Sequence, residues 1–356
     1  MNHSKRLAAL KNSLLKNDAF YAAPASDVFY LSGFRGTFGR ILLTPSKNYF
    51  LTDKRYEEAV RRSDISRIFQ IETVSGLKSS LPKFLKGIKR AFVSASTPLS
   101  EYLLINKEAS GVKPVLSPAL ASLRAVKDKD EIELIKKSVK IAEDSFKYAF
   151  SILKPGITER EVSLEFEFYA RKKGAEALSF TPIIAFGSNS SVPHHATGGT
   201  KLKKGMPVLI DAGVKYGGYC SDLTRVGAFC IMHSHLKKVQ NIYNIVRKAK
   251  ETAVKALKSG EKCRFPDAKA RDFMRGAGGY DKYFTHSLGH SLGIDIHEPP
   301  YLAAREESSL KSGCTVTVEP GLYFPGEFGI RIEDDYAVTK SGAIKLGTMP
   351  DSLVIL

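Results

Sequence analysis

Apolar and polar positions alternate in two different rhythms along the chain. In the first third, short apolar runs are set off by polar turns: AFYAA (19–23), GRILLTP (39–45) and NYFLTD (48–53) read as strands. Pro45, Ser46 and Lys47 form a polar turn between the last two. Before them, residues 1–20 read as an amphipathic first helix, with no unbroken apolar segment or cleavage site of a signal peptide. From residue 128 the rhythm lengthens. Ile132, Ile135, Val139, Ala142, Phe146 and Ala149 recur three and four apart and predict one long helix with a single buried stripe. LKPG (153–156) breaks it, and Thr158 with Glu161 predicts a reciprocal cap on a second helix ending at Gly174.

The pattern then repeats. LKKGMPVLIDAGV (202–214) matches LKSGCTVTVEPGL (310–322), with Asp211 falling on Glu319, and LKPG (153–156) matches LKSG (257–260) in the same order. Two ordered matches predict a duplicated helix–helix–strands unit whose site lies between the copies. A chain of 356 residues exceeds one ordinary core. The reading is therefore an α+β protein: a smaller α/β domain over residues 1–125, then a larger domain over 126–356 with an internal pseudo-twofold repeat.

Composition changes this picture little. Hydrophobic residues at 43% and charged residues at 26% are those of a globular protein, and no apolar run is long enough for a bilayer. Cys220, Cys230, Cys263 and Cys314 show no metal or disulfide spacing and read as reduced thiols, which points to the cytoplasm. The net charge of +17 is uneven: residues 1–127 carry 21 Lys and Arg against 9 Asp and Glu. The excess, including Lys78, Lys83, Lys86, Lys89 and Arg90, is scattered without a nucleic-acid motif, so it reads as a solvated basic face and no nucleic-acid partner is expected.

The chemistry concentrates in the repeat. Each copy runs an apolar strand into a carboxylate, turns, and returns to a second one: Asp211 and Asp222 around Tyr216, Gly217 and Gly218, then Glu319 and Glu333 around Pro325 and Gly326. Each pair is expected to lie across paired strands, where like charges need neutralising by metal ions. THSLGHSLGIDIHEPP between them holds His286, His290 and His297. Four carboxylates and one imidazole match two divalent ions, with Mn²⁺ favoured by oxygen ligands and Co²⁺ or Zn²⁺ as alternatives. His233 and His235, at the start of a helix after GAFCIM, read as surface or capping residues.

IDAG, CSDLTR, SLGHSLGIDIHE, VEPGLY and RIEDD resemble the motifs of the pita-bread metallopeptidases, the group of methionine aminopeptidase, aminopeptidase P and prolidase. GFRGTFGR and LTDKRYEEA resemble the creatinase-type N-terminal domain of the proline-directed branch. By position, the resemblance implies Asp211, Asp222, His290, Glu319 and Glu333 as metal ligands, with Asp222 and Glu333 bridging and Glu319 also shuttling a proton. It implies His194, in preference to the adjacent His195, with His286 and His297 as groups holding substrate and tetrahedral intermediate, and Arg331 and Tyr323 as supporting groups. Ser291 departs from the glycine that many relatives carry after the metal histidine. The expected activity is a Xaa-Pro aminopeptidase acting on small peptides with proline second. The alternative is a Xaa-Pro dipeptidase, and a non-catalytic or metal-free relative is disfavoured because all five ligands are present. A homodimer is implied by the resemblance alone.

Overall fold

The computed structural model describes residues 2–356, with the side chains of His233 and Ser234 outside the description. The chain divides into two compact units, residues 1–124 and 125–356. The first holds a six-stranded mixed sheet. Its strands are β1 (Asp18–Ala22), β2 (Gly39–Leu43), β3 (Asn48–Thr52), β4 (Gln70–Thr73), β5 (Arg90–Val93) and β6 (Lys113–Leu116), in the order β4-β3-β2-β1-β5-β6. The first three are those expected from the apolar runs. The β1–β2 and β2–β3 pairs are antiparallel and the others parallel. Ala19, Tyr21, Leu42, Leu51, Ala91 and Val93 fill one side of this sheet's core.

The second unit opens with the helix Lys129–Ser151 and then Glu159–Lys172. Both begin with a reciprocal capping box, Asp128 with Glu131 and Thr158 with Glu161, each satisfying two backbone donors that the first turn leaves open. The predicted stripe is buried from Ile135 to Ala149, with Ile132 at its half-buried edge. The buried face is wider than the apolar pattern because polar groups share it. Glu131 accepts from the Tyr219 hydroxyl, Ser138 donates to the Val214 carbonyl, and Glu143 accepts from the backbone N–H groups of Thr348 and Met349.

The remaining strands are β7 (Ala177–Leu178), β8 (Ile183–Phe186), β9 (Met206–Ala212), β10 (Val214–Tyr216), β11 (Tyr219–Cys220), β12 (Leu223–Phe229), β13 (Gly289–Ser291) and β14 (Glu298–Leu302). They continue through β15 (Thr315–Val318), β16 (Gly321–Phe324), β17 (Phe328–Arg331), β18 (Asp334–Val338), β19 (Ala343–Lys345) and β20 (Val354–Ile355). The sheet β20-β12-β9-β8 holds the first copy's strands, with β20 added from the end of the chain, and β14-β13-β15-β18-β19 holds the second copy's. The helices His233–Val254 and Arg264–Gly276 stand between them in sequence, as the other helix pair precedes the first copy. The repeat extends to backbone conformation: Gly156 and Gly260 have φ of 89° and 94°, and Gly205 and Gly313 have 91° and 95°. Each pair occupies matched positions where an L side chain would be strained.

The two sheets meet at a single antiparallel bridge between Thr224 and Glu333. Directly behind it lies a cluster of buried charge. Arg225 donates to Asp334 at 2.6 Å and to the Glu333 carbonyl at 2.7 Å, while Lys250 and Lys345 also contact Asp334. These three cations hold the Asp334 carboxyl below its ordinary range against the opposing effect of burial. The four cysteines are free, with Cys220, Cys263 and Cys314 buried and Cys230 exposed.

Candidate metal centre

The register of the two hairpins sets the centre. In the first, β9 pairs with β12 so that Asp211 faces Thr224, and the strands end in a two-residue turn at Gly217 and Gly218, both with positive φ. In the second, Val318 faces Asp334 and Gly321 faces Arg331, which leaves Glu319 facing Glu333. The expectation that each carboxylate pair lies directly across its hairpin therefore holds for Glu319 and Glu333 and fails for Asp211 and Asp222. The cause is where the first turn falls: Asp211 and Asp222 are centred one position before the Gly217–Gly218 turn, so Asp211 meets Thr224, whereas Glu319 and Glu333 are centred on the 325–327 turn. The structural counterpart of Glu333 is therefore Thr224 and that of Asp222 is Arg331.

The predicted residues nevertheless converge. Asp222, His290 and Glu333 each offer one ligand atom, and these lie within 4.8 Å of one another. His290 Nε2 stands 3.6 Å from Asp222 Oδ2 and 3.7 Å from Glu319 Oε1. Two donor atoms about 2.1 Å from one ion at a tetrahedral angle are about 3.4 Å apart, so this spacing fits a shared cation. His290 Nδ1 donates to the Ser291 carbonyl at 3.1 Å, which leaves Nε2 as the lone-pair nitrogen facing the carboxylates. Gly289 permits this approach: a Cβ there would meet the Thr317 carbonyl oxygen at 2.2 Å.

Electrostatics make the same demand. Burial, reinforced by the neighbouring carboxylates, pushes Asp222 and Glu319 well above the ordinary carboxylate range, and Glu333 up to about 8. Asp211 is also raised by burial, with Arg331 opposing, and its Oδ1 is buried without a partner in the structure. A divalent pair would relieve all four carboxylates and satisfy the orphaned oxygen. Burial and the charge of His297 lower His290 to about 4, so it is a neutral imidazole, the form that binds a metal.

A cavity of about 230 Å³ opens onto these groups, lined by Pro193, His194, Asp211, His286, His290, His297, Glu319 and Arg331 among others. His195 turns away from it to Glu159. Arg331 is the hub of the wall. It donates to Asp211 Oδ2, to Thr224 Oγ1 at 3.1 Å, to the Tyr323 hydroxyl at 2.6 Å and to the Pro193 carbonyl at 3.2 Å. Thr224 passes this on, its hydroxyl donating to Glu333 Oε2 at 2.7 Å. Tyr323 OH, already accepting from Arg331, donates to His286 Nε2 at 2.9 Å, and His286 Nδ1 donates to the Ser287 carbonyl at 2.8 Å. Both His286 nitrogens are engaged, and burial followed by the Arg331 charge lowers its pKa to about 3.

Sequence reasoning missed Thr224, Tyr301 and Lys127. Thr224 is legible only once the first turn is placed at Gly217 and Gly218. Tyr301 lines the cavity from β14 and carried no motif. Lys127, buried, donates to Ser291 at 3.0 Å and Glu298 at 3.2 Å, which gives the departure at Ser291 a partner. His235 is exposed against Phe328, at 6.1 Å between ring centroids, and the His233 side chain lies outside the described residues.

The chain is also similar to known proteins. Residues 133–340 match Metallopeptidase family M24 and residues 6–126 match the Creatinase/Prolidase N-terminal domain. A Xaa-Pro dipeptidase structure from Bacillus anthracis superposes with a TM-score of 0.93 at 34% identity, covering 100% of both chains. An X-Pro aminopeptidase structure from Thermotoga maritima MSB8 gives 0.88 at 32% identity, covering 99% of each. A Xaa-Pro dipeptidase of Pyrococcus horikoshii is 33% identical over 340 residues, 94% of this chain and 93% of the relative. The fold is thus a creatinase-type domain followed in sequence by the pita-bread arrangement, and among the described residues no helix is long and apolar enough to cross a membrane. With its paired carboxylate hairpins, neutral His290 and arginine-braced wall, the chain belongs to metallopeptidase family M24 and is a metal-dependent hydrolase.

Proposed function

We propose that the protein is a Xaa-Pro dipeptidase, cleaving the bond between an N-terminal residue and a C-terminal proline. The sequence favoured the aminopeptidase as its first expectation. Relatives bearing the dipeptidase name, matched over nearly the whole chain, weigh toward the alternative. The observation that carries a hydrolytic reading is the convergence of Asp222, His290 and Glu333 within 4.8 Å beneath an open cavity.

Asp211, Asp222, His290, Glu319 and Glu333 would hold two divalent ions, with manganese as the reading from the oxygen-rich ligand set. Bound there, such ions would acidify a water and polarise the scissile carbonyl. Glu319 takes the proton of the attacking water and delivers it to the proline nitrogen, which as a tertiary amide must be protonated to leave. His194 and His297, on the cavity wall, donate to the carbonyl oxygen as it gains charge. His286 acts through Tyr323, fixing the hydroxyl that Arg331 also holds. Arg331 keeps Asp211 oriented. A homodimer and a cytoplasmic setting belong to the same proposal.

With Mn²⁺ added, the protein is expected to cleave a Xaa-Pro dipeptide and leave a Xaa-Pro-Yaa tripeptide intact. Turnover of the tripeptide at comparable kcat/KM would restore the aminopeptidase. Cleavage of Met-Ala peptides with neither proline substrate touched would overturn the proline assignment altogether.

A further inference from the structure

Glu159 is a fully buried carboxylate in the first turn of the helix Glu159–Lys172, where the helix dipole favours an anion. Its two oxygens accept from four residues of one segment. Oε1 takes the Phe186 N–H at 2.9 Å and the Asn189 side-chain amide at 2.8 Å. Oε2 takes His195 Nε2 at 2.9 Å and the Gly198 N–H at 3.1 Å. With both oxygens acting as acceptors, the His195 nitrogen facing them is the protonated one. One carboxylate thus gathers residues 186 to 198 around itself.

That segment carries His194 to the lip of the cavity. Its other side is fixed separately: Ser190 Oγ accepts from the Gly329 N–H at 2.9 Å, and the Pro193 carbonyl accepts from Arg331. His194 and His195 are consecutive and turn opposite ways, one to the cavity and the other to Glu159. Holding the second ring therefore fixes the backbone from which the first projects. We infer that Glu159 and His195 are positioning residues that set His194 against the substrate carbonyl. The inference rests on the peptidase reading above, in which His194 meets that carbonyl. It also explains why two adjacent histidines are present: one faces the chemistry and the other anchors it.

The test is a set of variants assayed on a Xaa-Pro dipeptide with Mn²⁺, alongside metal content and peptide-level hydrogen exchange over residues 183–198. His195→Ala is expected to lower kcat/KM by up to about 100-fold, the scale of a misplaced reacting group, with metal content unchanged. His195→Gln, whose amide nitrogen reaches about as far as Nε2, should recover most of the loss. In a His194→Ala background, His195→Ala should cost less than about twofold more, since its effect passes through His194. A fully additive loss in the double variant, or wild-type kcat/KM in His195→Ala, would overturn the inference. Should the wild type leave the dipeptide intact, the peptidase reading fails by itself. The exchange rates in Glu159→Gln then judge the anchor alone: acceleration over 183–198 upholds it and unchanged rates refute it.

Discussion

The two hairpins of the catalytic unit share a backbone and differ in what they place at equivalent points. Where the second has Glu333 opposite Glu319, the first has Thr224 opposite Asp211. Two residues earlier on the returning strand, the first has Asp222 and the second has Arg331. Each copy therefore supplies two carboxylates, one at a matched position (Asp211 and Glu319) and one at an unmatched position (Asp222 and Glu333). A strictly symmetric arrangement would set acid against acid in both ladders and leave no cation in the wall. Exchanging one acid for Thr224 and another for Arg331 puts a hydroxyl relay and a guanidinium between the halves. Arg331 braces Asp211, and Thr224 links Arg331 to Glu333. Duplication supplied the scaffold, and asymmetry supplied the means of orienting the carboxylates.

Substitutions at these points break or sharpen the contrast. The largest effect is expected from Glu333→Gln, which removes the acid that only the second copy has at this position. It should lower kcat/KM by more than about 10³-fold, beyond the cost of one lost transition-state hydrogen bond, and lower the metal content measured by elemental analysis. Arg331→Lys keeps the charge but loses the planar fork that reaches Asp211, Thr224 and Tyr323 together. A loss of about 100-fold in kcat/KM with metal largely retained is the expected kinetic result. The smallest effect belongs to Thr224→Val, which matches shape and deletes the relay hydroxyl. Leaving one Arg331 N–H unmatched should cost about tenfold in kcat/KM, and Thr224→Ser should recover it. If Thr224→Val is silent, the asymmetry of the hairpins has no orienting role and the comparison loses its point.

Much of this was legible before any coordinates. The cap at Thr158 and Glu161, the stripe from Ile135 to Ala149 and the strands at β1 to β3 follow from local rules that tertiary context did not override. The residues that converge could be named because a repeat and a short set of motifs mark them. What escaped is instructive. The sequence pairs Asp222 with Glu333 as a mirror image, whereas the first turn sits at Gly217–Gly218, one position past the midpoint of Asp211 and Asp222, so that Asp222 corresponds to Arg331. Register depends on the exact position of the turn, which apolar periodicity does not report. Glu131, Ser138 and Glu143 interrupt the long helix's apolar pattern yet are buried, because each meets a partner from another element. Glu159, Lys127 and Thr224 are single polar residues whose partners lie far along the chain, and nothing in their immediate neighbours announces them.

The uneven turns also bear on how the molecule can be handled. The Gly217–Gly218 tip is tied down, both backbone N–H groups bonding the Glu176 carboxylate. The tip at 325–327 is exposed and already carries one more residue than its twin, with Glu319 and Glu333 still facing each other behind it. That loop is therefore the natural place to splice in a fluorophore-bearing peptide near the catalytic groove. A residue added on one strand only, between the tip and either acid, would instead turn that carboxylate to the opposite side of the ribbon.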